Sequence, residues 1–362
     1  LHISAEFAIL DKNAKEVPRM ITIKEISDKI HVSPTTVSNV IHGKTTEVSP
    51  ETVKKVEAAI QRYHYVPNMS ARTLAQNSSR IIAAVIKYDR DKGNVFKDPF
   101  EGELLGGLEA GIRAAGYFML VSAVYSVEDT LHLMATWNVD GIILCGFRRE
   151  DYLKIRHETL RPMVFIDSYF GNLRPPCTNI GLNDRGAARQ MTEYLIGKGH
   201  REIAFLADNR IGVDDERWQG CREALSAAGL PCTERQFVLL PTDHAQLSAA
   251  LTQLLPRLKQ YTALFFASDY YAVRGSNFLQ DHGFSVPEDM SVAGFDDNLL
   301  GRHTRPRLTT MRQDPTRKGR LACEMLVHIL RHEAAPGEQI QLEAQLVERS
   351  TVAAPRTKPL PE

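Results

Sequence analysis

From Ile81 onward the chain alternates short apolar runs with helical stretches, a rhythm that few architectures accommodate. The runs are IIAAVI (81–86), YFMLVSA (117–123), VDGIILCG (139–146), PMVFIDS (162–168), EIAFLAD (202–208), FVLL (237–240), ALFFASD (263–269) and SVAGFDD (291–297). Between them lie GELLGGLEAGIRAAG (102–116), RGAARQMTEYLIGKG (185–199) and DERWQGCREALSAAG (215–229), each ending in the glycine that stops a helix. Strand, helix, strand at this spacing predicts parallel sheets covered on both faces. A chain of 362 residues exceeds one ordinary core, and eight such strands divide into two doubly wound units. Ligands of such sheets bind outside the carboxyl ends of strands, so two sets of ends are expected to face each other across a cleft.

Reaction chemistry has no foothold in that cleft. No G-x-G-x-x-G follows the first strand, and neither a phosphate-binding G-x-x-x-x-G-K-[ST] nor a nucleophile-bearing G-x-S-x-G occurs. The histidines form no H-E-x-x-H, and His64 in YHY reads as a helix-end residue. The body is therefore expected to bind without catalysing, with no cofactor and no metal. No apolar run approaches the length that crosses a bilayer. LHISAEFAILDKNAKEVPRM has neither the basic start nor the unbroken apolar core of a signal peptide. The five cysteines, an odd number without C-x-x-C spacing, point to free thiols in a reducing cytoplasm.

The first eighty residues follow another pattern. Thr22 stands three residues before Glu25, as in a capping box, and Ile23, Ile26 and Ile30 make one apolar stripe. Ser33-Pro34 opens a second helix, Pro34 to Ile41, with Val37, Val40 and Ile41 inward. Ser49-Pro50-Glu51 opens a third, lined by Val53, Val56, Ile60 and Tyr63. Two short helices, a tight turn and a third helix predict a helix-turn-helix, whose second helix enters the major groove. Thr35, Thr36 and Asn39 are then placed to read base edges, and Ser33, Ser38 and the helix N-terminus to hold phosphates. Thr22, Pro34 and His42 complete the face offered to DNA. Residues 20–80 carry eight Lys/Arg against five Asp/Glu in a chain of zero net charge, which favours a polyanion partner for this module. After Pro67, Asn68 or Ser70 caps a short helix, ARTLAQ, with Ala71 and an apolar Leu74 suited to wedging between base steps in the minor groove.

TIKEISDKIHVSPTTVSNVIHG, followed by VSPETVKKVEAAIQRYHYVPNMSARTLA, resembles the head and hinge of the lactose/galactose repressor family of bacterial transcription regulators. Its TTVS helix is similar to that of the purine-repressor branch. VDGIIL, KGHREIAFL, FASDYYAVRG, VPEDMSVAGFDD and LTTMRQD resemble the repressor body, extending the likeness from about Met20 to Val352. His31 stands where the family often has glycine in the turn. The resemblance implies a helix-turn-helix domain (20–67), a hinge helix and linker (68–80) and an effector-binding and dimerisation body (81–352) built like periplasmic sugar-binding proteins. It divides the body into subdomains of about 81–180 plus 313–340, and 181–312 plus 341–352. Asp296 and Arg217 match the family's effector-contacting positions, as does Phe100, while Ser268 replaces the usual asparagine. Asp269 and Tyr169, also at strand ends, join the expected effector site. A homodimer on a pseudo-palindromic operator is expected, because one head reads only a half-site. The effector is expected to be a sugar, with a sugar phosphate or a purine as alternatives, and a solute-binding protein without a DNA role is the rival class. Residues 1–19 and the proline-rich tail 353–362, which has no leucine heptads, are expected to be disordered.

Overall fold

The computed structural model describes residues 21–41, 43–65, 78–88, 94–173, 176–243 and 246–357. The chain divides into two compact units between Asn77 and Ser78. The expected extension 1–19 and most of the expected hinge lie outside the described residues.

In the first unit, α1 (Ile23–Ile30) begins with a reciprocal capping box. The Glu25 N–H donates to Thr22 Oγ1 at 3.2 Å, and the Thr22 N–H donates to Glu25 Oε2 at 2.7 Å. α1 stops at His31, whose left-handed φ of 53° lets its N–H reach the Ser27 carbonyl, so histidine fills the turn without glycine. α2 (Pro34–Ile41) starts where Ser33 Oγ accepts from the Thr36 N–H at 3.1 Å. α3 (Pro50–Arg62) starts likewise at Ser49, whose Oγ accepts from the Thr52 N–H at 3.3 Å. The three helices close over Ile26, Val37, Val40, Val56 and Ala59. Helices this short owe their stability to that shared core.

The second unit holds two six-stranded sheets. The first comprises β1 (Ile81–Lys87), β2 (Phe118–Val124), β3 (Gly141–Cys145), β4 (Met163–Ile166), β5 (Asn179–Leu182) and β11 (Gln339–Leu342), in the order β11-β5-β4-β3-β1-β2. The second comprises β6 (Ile203–Ala207), β7 (Phe237–Leu239), β8 (Ala263–Phe266), β9 (Ser291–Asp296), β10 (Thr309–Arg312) and β12 (Gln345–Val347), in the order β12-β10-β9-β8-β6-β7. All pairs are parallel except β10 with β12. Successive residues of β1 feed opposite faces: Ile82, Ala84 and Ile86 one core, Ala83 and Val85 the other. Phe205 and Leu206 divide in the same way between the two cores of the second sheet.

Helices α4 (Pro99–Ala114), α5 (Val127–Trp137) and α6 (Arg149–Glu158) cover the first sheet. Next come α7 (Asp184–Gly197), α8 (Gly212–Ala227), α9 (Leu247–Leu258), α10 (Asp269–Asp281), α11 (Leu299–His303) and α12 (Pro315–Leu330). α12 returns to the first lobe and packs on α4 so closely that a Cβ on Gly107 would lie 2.2 Å from the Thr316 carbonyl oxygen. The chain thus passes between lobes after β5, after β10 and between β11 and β12.

Four details differ from expectation. β5 and β11 run to Leu182 and Leu342, so the crossings fall two residues later than 180 and 340. The linker ends at Asn77 rather than at residue 80, because Ser78, Ser79 and Arg80 are already bonded to Asp140. β12 is antiparallel. Residues 353–357 of the tail are docked: His200 Nε2 meets the Ala353 carbonyl at 2.9 Å, and Arg356 donates to the Asp289 and Lys259 carbonyls. A buried histidine and an arginine reaching main-chain carbonyls order a segment that composition alone marks as loose.

Candidate functional site

Two places in the molecule gather polar groups that the fold does not require. The first is the outer side of α2. Val37 and Val40 are buried, which leaves Thr35 exposed and Thr36, Ser38 and Asn39 half-buried. Ser33 and Pro34 are exposed at the helix start. Ser33 Oγ caps the helix and lies 2.8 Å from Thr36 Oγ1, so these two hydroxyls hold each other in place. Thr22 is exposed, with its hydroxyl engaged by Glu25 at 2.9 Å. Hydroxyls and a carboxamide offer donors and acceptors without charge, the chemistry of base edges. His42, Asn68, Ala71 and Leu74 lie outside the described residues.

The second place is a cavity of about 450 Å³ between the lobes. The first lobe contributes Tyr88, Asn94, Val95, Lys97 and Asp98, and the second Asp208, Asp214, Arg217, Asp243, Ala267, Ser268, Tyr270 and Tyr271. Each sheet reverses its strand order beside its first strand, with β1 and β6 flanked by neighbours wound in opposite directions. Tyr88 directly follows β1, Asp208 follows β6, and Ala267 and Ser268 follow β8. The cavity therefore sits at both switch points, where a doubly wound sheet opens a crevice. Asp208 accepts from the Tyr271 hydroxyl at 3.0 Å and from Asn209 Nδ2 at 2.7 Å, and Asn209 also donates to Asp214 at 2.7 Å.

Of the effector residues expected from sequence, Arg217 and Ser268 line the cavity. Arg217 is only 6% exposed. Its Nε donates to Asp184 Oδ1 at 2.7 Å, its Nη1 reaches the Ala267 carbonyl, and its guanidinium lies 3.5 Å over the Phe295 ring. Burial opposes that charge, but Asp184, Asp296 and Asp214 together raise the guanidinium pKa further. Ser268 caps α10 through the Tyr271 N–H.

Asp296, Tyr169 and Phe100 are not in the cavity wall. They belong to a buried polar chain behind it. Lys318, wholly buried, donates to both oxygens of Asp167 at 2.6 and 2.8 Å and to Gln313 Oε1 at 2.9 Å. Gln313 Nε2 donates to Asp296 Oδ1 at 2.7 Å. Asp296 faces Arg217, which holds Asp184, and the Tyr169 hydroxyl donates to Asp184 and to the Leu182 carbonyl. Burial pushes the Asp296 carboxyl up to about 7, with Arg217 and the Gln313 bond opposing the shift. Its φ of 122° is a strained value for a side-chain-bearing residue. The Phe100 ring lies 5.3 Å from Lys318 Nζ.

Asp269, expected in the effector site, does not line the cavity: it is 0% exposed, and its oxygens accept from Thr310 Oγ1 at 2.6 Å and the Asn298 N–H at 2.9 Å, so it ties α10 to the turn after β9. Phe170, the other aromatic of the Tyr169 loop, is core, stacked on Tyr152 at 5.4 Å.

Sequence reasoning missed Tyr88, Lys97, Asp98, Asp208, Asp214, Asp243, Tyr270 and Tyr271. Tyr88 and Asp208 close apolar runs, so the strand-end rule already contained them. Asp98 is the cap of α4, ahead of Pro99, a pattern that marks a helix start and not a ligand, while Lys97 and Asp243 lie on connections that carry no pattern.

Comparison with known proteins fits both places. Residues 22–68 match the family model of bacterial regulatory proteins, lacI family, and residues 192–352 that of a periplasmic binding protein-like domain. The HTH-type transcriptional regulator CelR of Thermobifida fusca is 32% identical over 340 residues, covering 92% of this chain and 98% of its own. The HTH-type transcriptional repressor PurR of Vibrio atlanticus (strain LGP32) is 30% identical, covering 92% of this chain and 99% of its own. A CelR–cellobiose complex superposes with a TM-score of 0.70 at 29% identity, over 91% of this chain and 99% of that one. The lac repressor dimer bound to operator and the anti-inducer ONPF superposes with a TM-score of 0.81 at 25% identity, over 93% and 100%. Matched in its head, its two-lobed body and nearly its whole length, the chain belongs to the lacI family of bacterial regulatory proteins and is a helix-turn-helix transcriptional regulator.

Proposed function

We propose that this regulator is a cytoplasmic repressor, not an enzyme, that holds a pseudo-palindromic operator as a homodimer and answers to a neutral, hydroxyl-rich sugar in the interlobe cavity. Thr35, Thr36 and Asn39 read base edges, while Ser33, Ser38 and the start of α2 meet phosphates. Expected contributions from Thr22, His42 and the segment bearing Asn68, Ala71 and Leu74 belong to the same proposal. Among the described residues, no helix is long and apolar enough to cross a membrane.

The observation that carries the ligand class is the charge of the cavity wall. Among the described residues of that wall, Asp98, Asp208, Asp214 and Asp243 outnumber Lys97 and Arg217. Carboxylates accept hydroxyl hydrogens well, and a phosphate among them would be repelled. Tyr88, Tyr270 and Tyr271 add flat faces of the kind a sugar ring stacks on. The CelR complex with cellobiose supports the same class. A sugar phosphate, one of the expected alternatives, fits this wall poorly. A purine lacks the hydroxyls that would use its carboxylates.

Calorimetry of the full chain with cellobiose, glucose 6-phosphate and hypoxanthine tests the class directly. Saturable binding of the neutral sugar, with no heat from the other two, is expected. Tight binding of either of the others with none of cellobiose would reverse the assignment.

A further inference from the structure

The chain enters the body through Ser78, Ser79 and Arg80, and one side chain holds all three. Asp140, in the turn between α5 and β3, receives the Ser79 N–H at 2.8 Å and the Ser79 hydroxyl at 3.1 Å on Oδ1. Its Oδ2 receives the Ser78 hydroxyl and, at 3.2 Å, the Arg80 N–H. Asp140 is 9% exposed, and its own N–H donates to the Ile81 carbonyl at 2.8 Å. Both carboxylate oxygens are thus occupied by donors from three consecutive residues.

The bend at this point is an unusual one. Arg80 stands at φ 57°, a region that side-chain-bearing residues other than Asn, Asp and His seldom enter. Its carbonyl accepts from the Phe118 N–H at 2.8 Å, and its guanidinium lies 5.6 Å from the Tyr117 ring centroid. Such a conformation persists only where surrounding bonds determine it. The registered pairing of β1 starts at Ile81 with β2 and at Ile82 with β3, so of the three clamped residues Arg80 alone, through its carbonyl, bonds to a neighbouring strand. What the Asp140 bonds fix is the stretch Ser78–Arg80 before the sheet, where the chain enters the first lobe.

We infer that Asp140 is a positioning residue for operator binding: its clamp on Ser78–Arg80 makes the joint between head-bearing chain and first lobe rigid. A movement of that lobe then reaches the upstream chain as a displacement, where a slack joint would absorb it. The inference rests on the proposed operator reading and adds to it a residue that touches neither DNA nor ligand.

The test uses the full chain and two probes, a duplex enriched from a random pool by the wild-type protein and an unselected duplex of the same length. Asp140→Ala is expected to lower affinity for the enriched duplex about tenfold, within the range that single changes along a coupling network produce. Affinity for the unselected duplex and the thermal midpoint of the body stay near wild type. The double change Ser78→Ala with Ser79→Ala keeps both main-chain donors and should lose about threefold, a smaller share of the same range. It also carries the test if Asp140→Ala does not fold. A purely structural role would lower the midpoint and leave the ratio of the two affinities unchanged, and an unchanged ratio in the variants overturns the inference. A wild-type chain that enriches no duplex overturns the operator reading and this assignment with it. Enrichment by the wild type with equal binding by the variants overturns the assignment alone.

Discussion

In the head, one helix of eight residues carries the polar face, and its inward valines do no more than hold it in place. In the body, the cavity draws on Tyr88, Asp208, Arg217 and Tyr271, brought together by strand order. On that face Thr35, Ser38 and Asn39, which cap nothing, can therefore change with little effect on folding. The body's groups are continuous with a buried chain of charges behind the cavity, so ligand binding and stability are entangled there. Arg217 belongs to both, lining the cavity with one edge and holding Asp184 with another.

The comparison can be broken at its strongest point first. Arg217→Ala leaves the wholly buried carboxylate of Asp184 without its ion-pair partner, and losses of about 3–5 kcal/mol follow from breaking such pairs. Urea unfolding of the body should register that loss while the head's transition stays in place; a change under about 1 kcal/mol would mean the pair is not the strut described here. Ile26→Ala does the reverse. It empties the centre of the small head core at a cost of about 2–5 kcal/mol, so the head should melt well before an unaltered body. A single shared transition would contradict the division into two units. Asn39→Ala should cost operator affinity about 1–3 kcal/mol and relax specificity at one base pair, with the head's melting point unmoved. Equal loss on unselected DNA would make Asn39 a backbone contact.

The last effect concerns pH and belongs to the body alone. Asp296 binds its proton more tightly when folded, near 7, than at the ordinary value of 3.8. Between those values the unfolded chain has released a proton that the folded chain keeps, so rising pH favours unfolding on this group's account. Above about 7 that loss is complete. Asp296→Asn should flatten this part of the stability curve, measured as thermal midpoints from about pH 4 to 8. A variant with an unchanged slope would assign the window to other groups.

How much of this was written in the sequence follows the same division. The head was legible to the residue, since Thr22, Ser33 and Ser49 are local caps and Pro34–Ile41 is the helix its pattern predicts. In the body, the eight apolar runs became strands. β5, β10, β11 and β12 were not among those runs, because NIGL, TTMR, QIQL and QLV are short and mix polar with apolar residues. Of the residues that line the cavity, Arg217 was expected from the resemblance and Ser268 from its place at a strand end, where the family usually has asparagine. Lys318 gave no signal: a lysine in a helix pattern reads as solvated, and only the fold brings Asp167 and Gln313 to its ammonium. Asp269 marks the limit of the strand-end rule, because a carboxylate there has the same letter whether it faces a ligand or a neighbouring turn.

If the chain works as proposed, occupancy of the cavity sets the grip on DNA. The most direct test is the affinity of the full chain for its own selected duplex, measured at about physiological salt with and without saturating cellobiose. A change of about 5- to 150-fold is expected, the usual range for coupling between two sites. Glucose 6-phosphate is expected to leave the affinity unmoved. A sugar that binds the body and leaves the operator affinity unchanged would contradict the proposal.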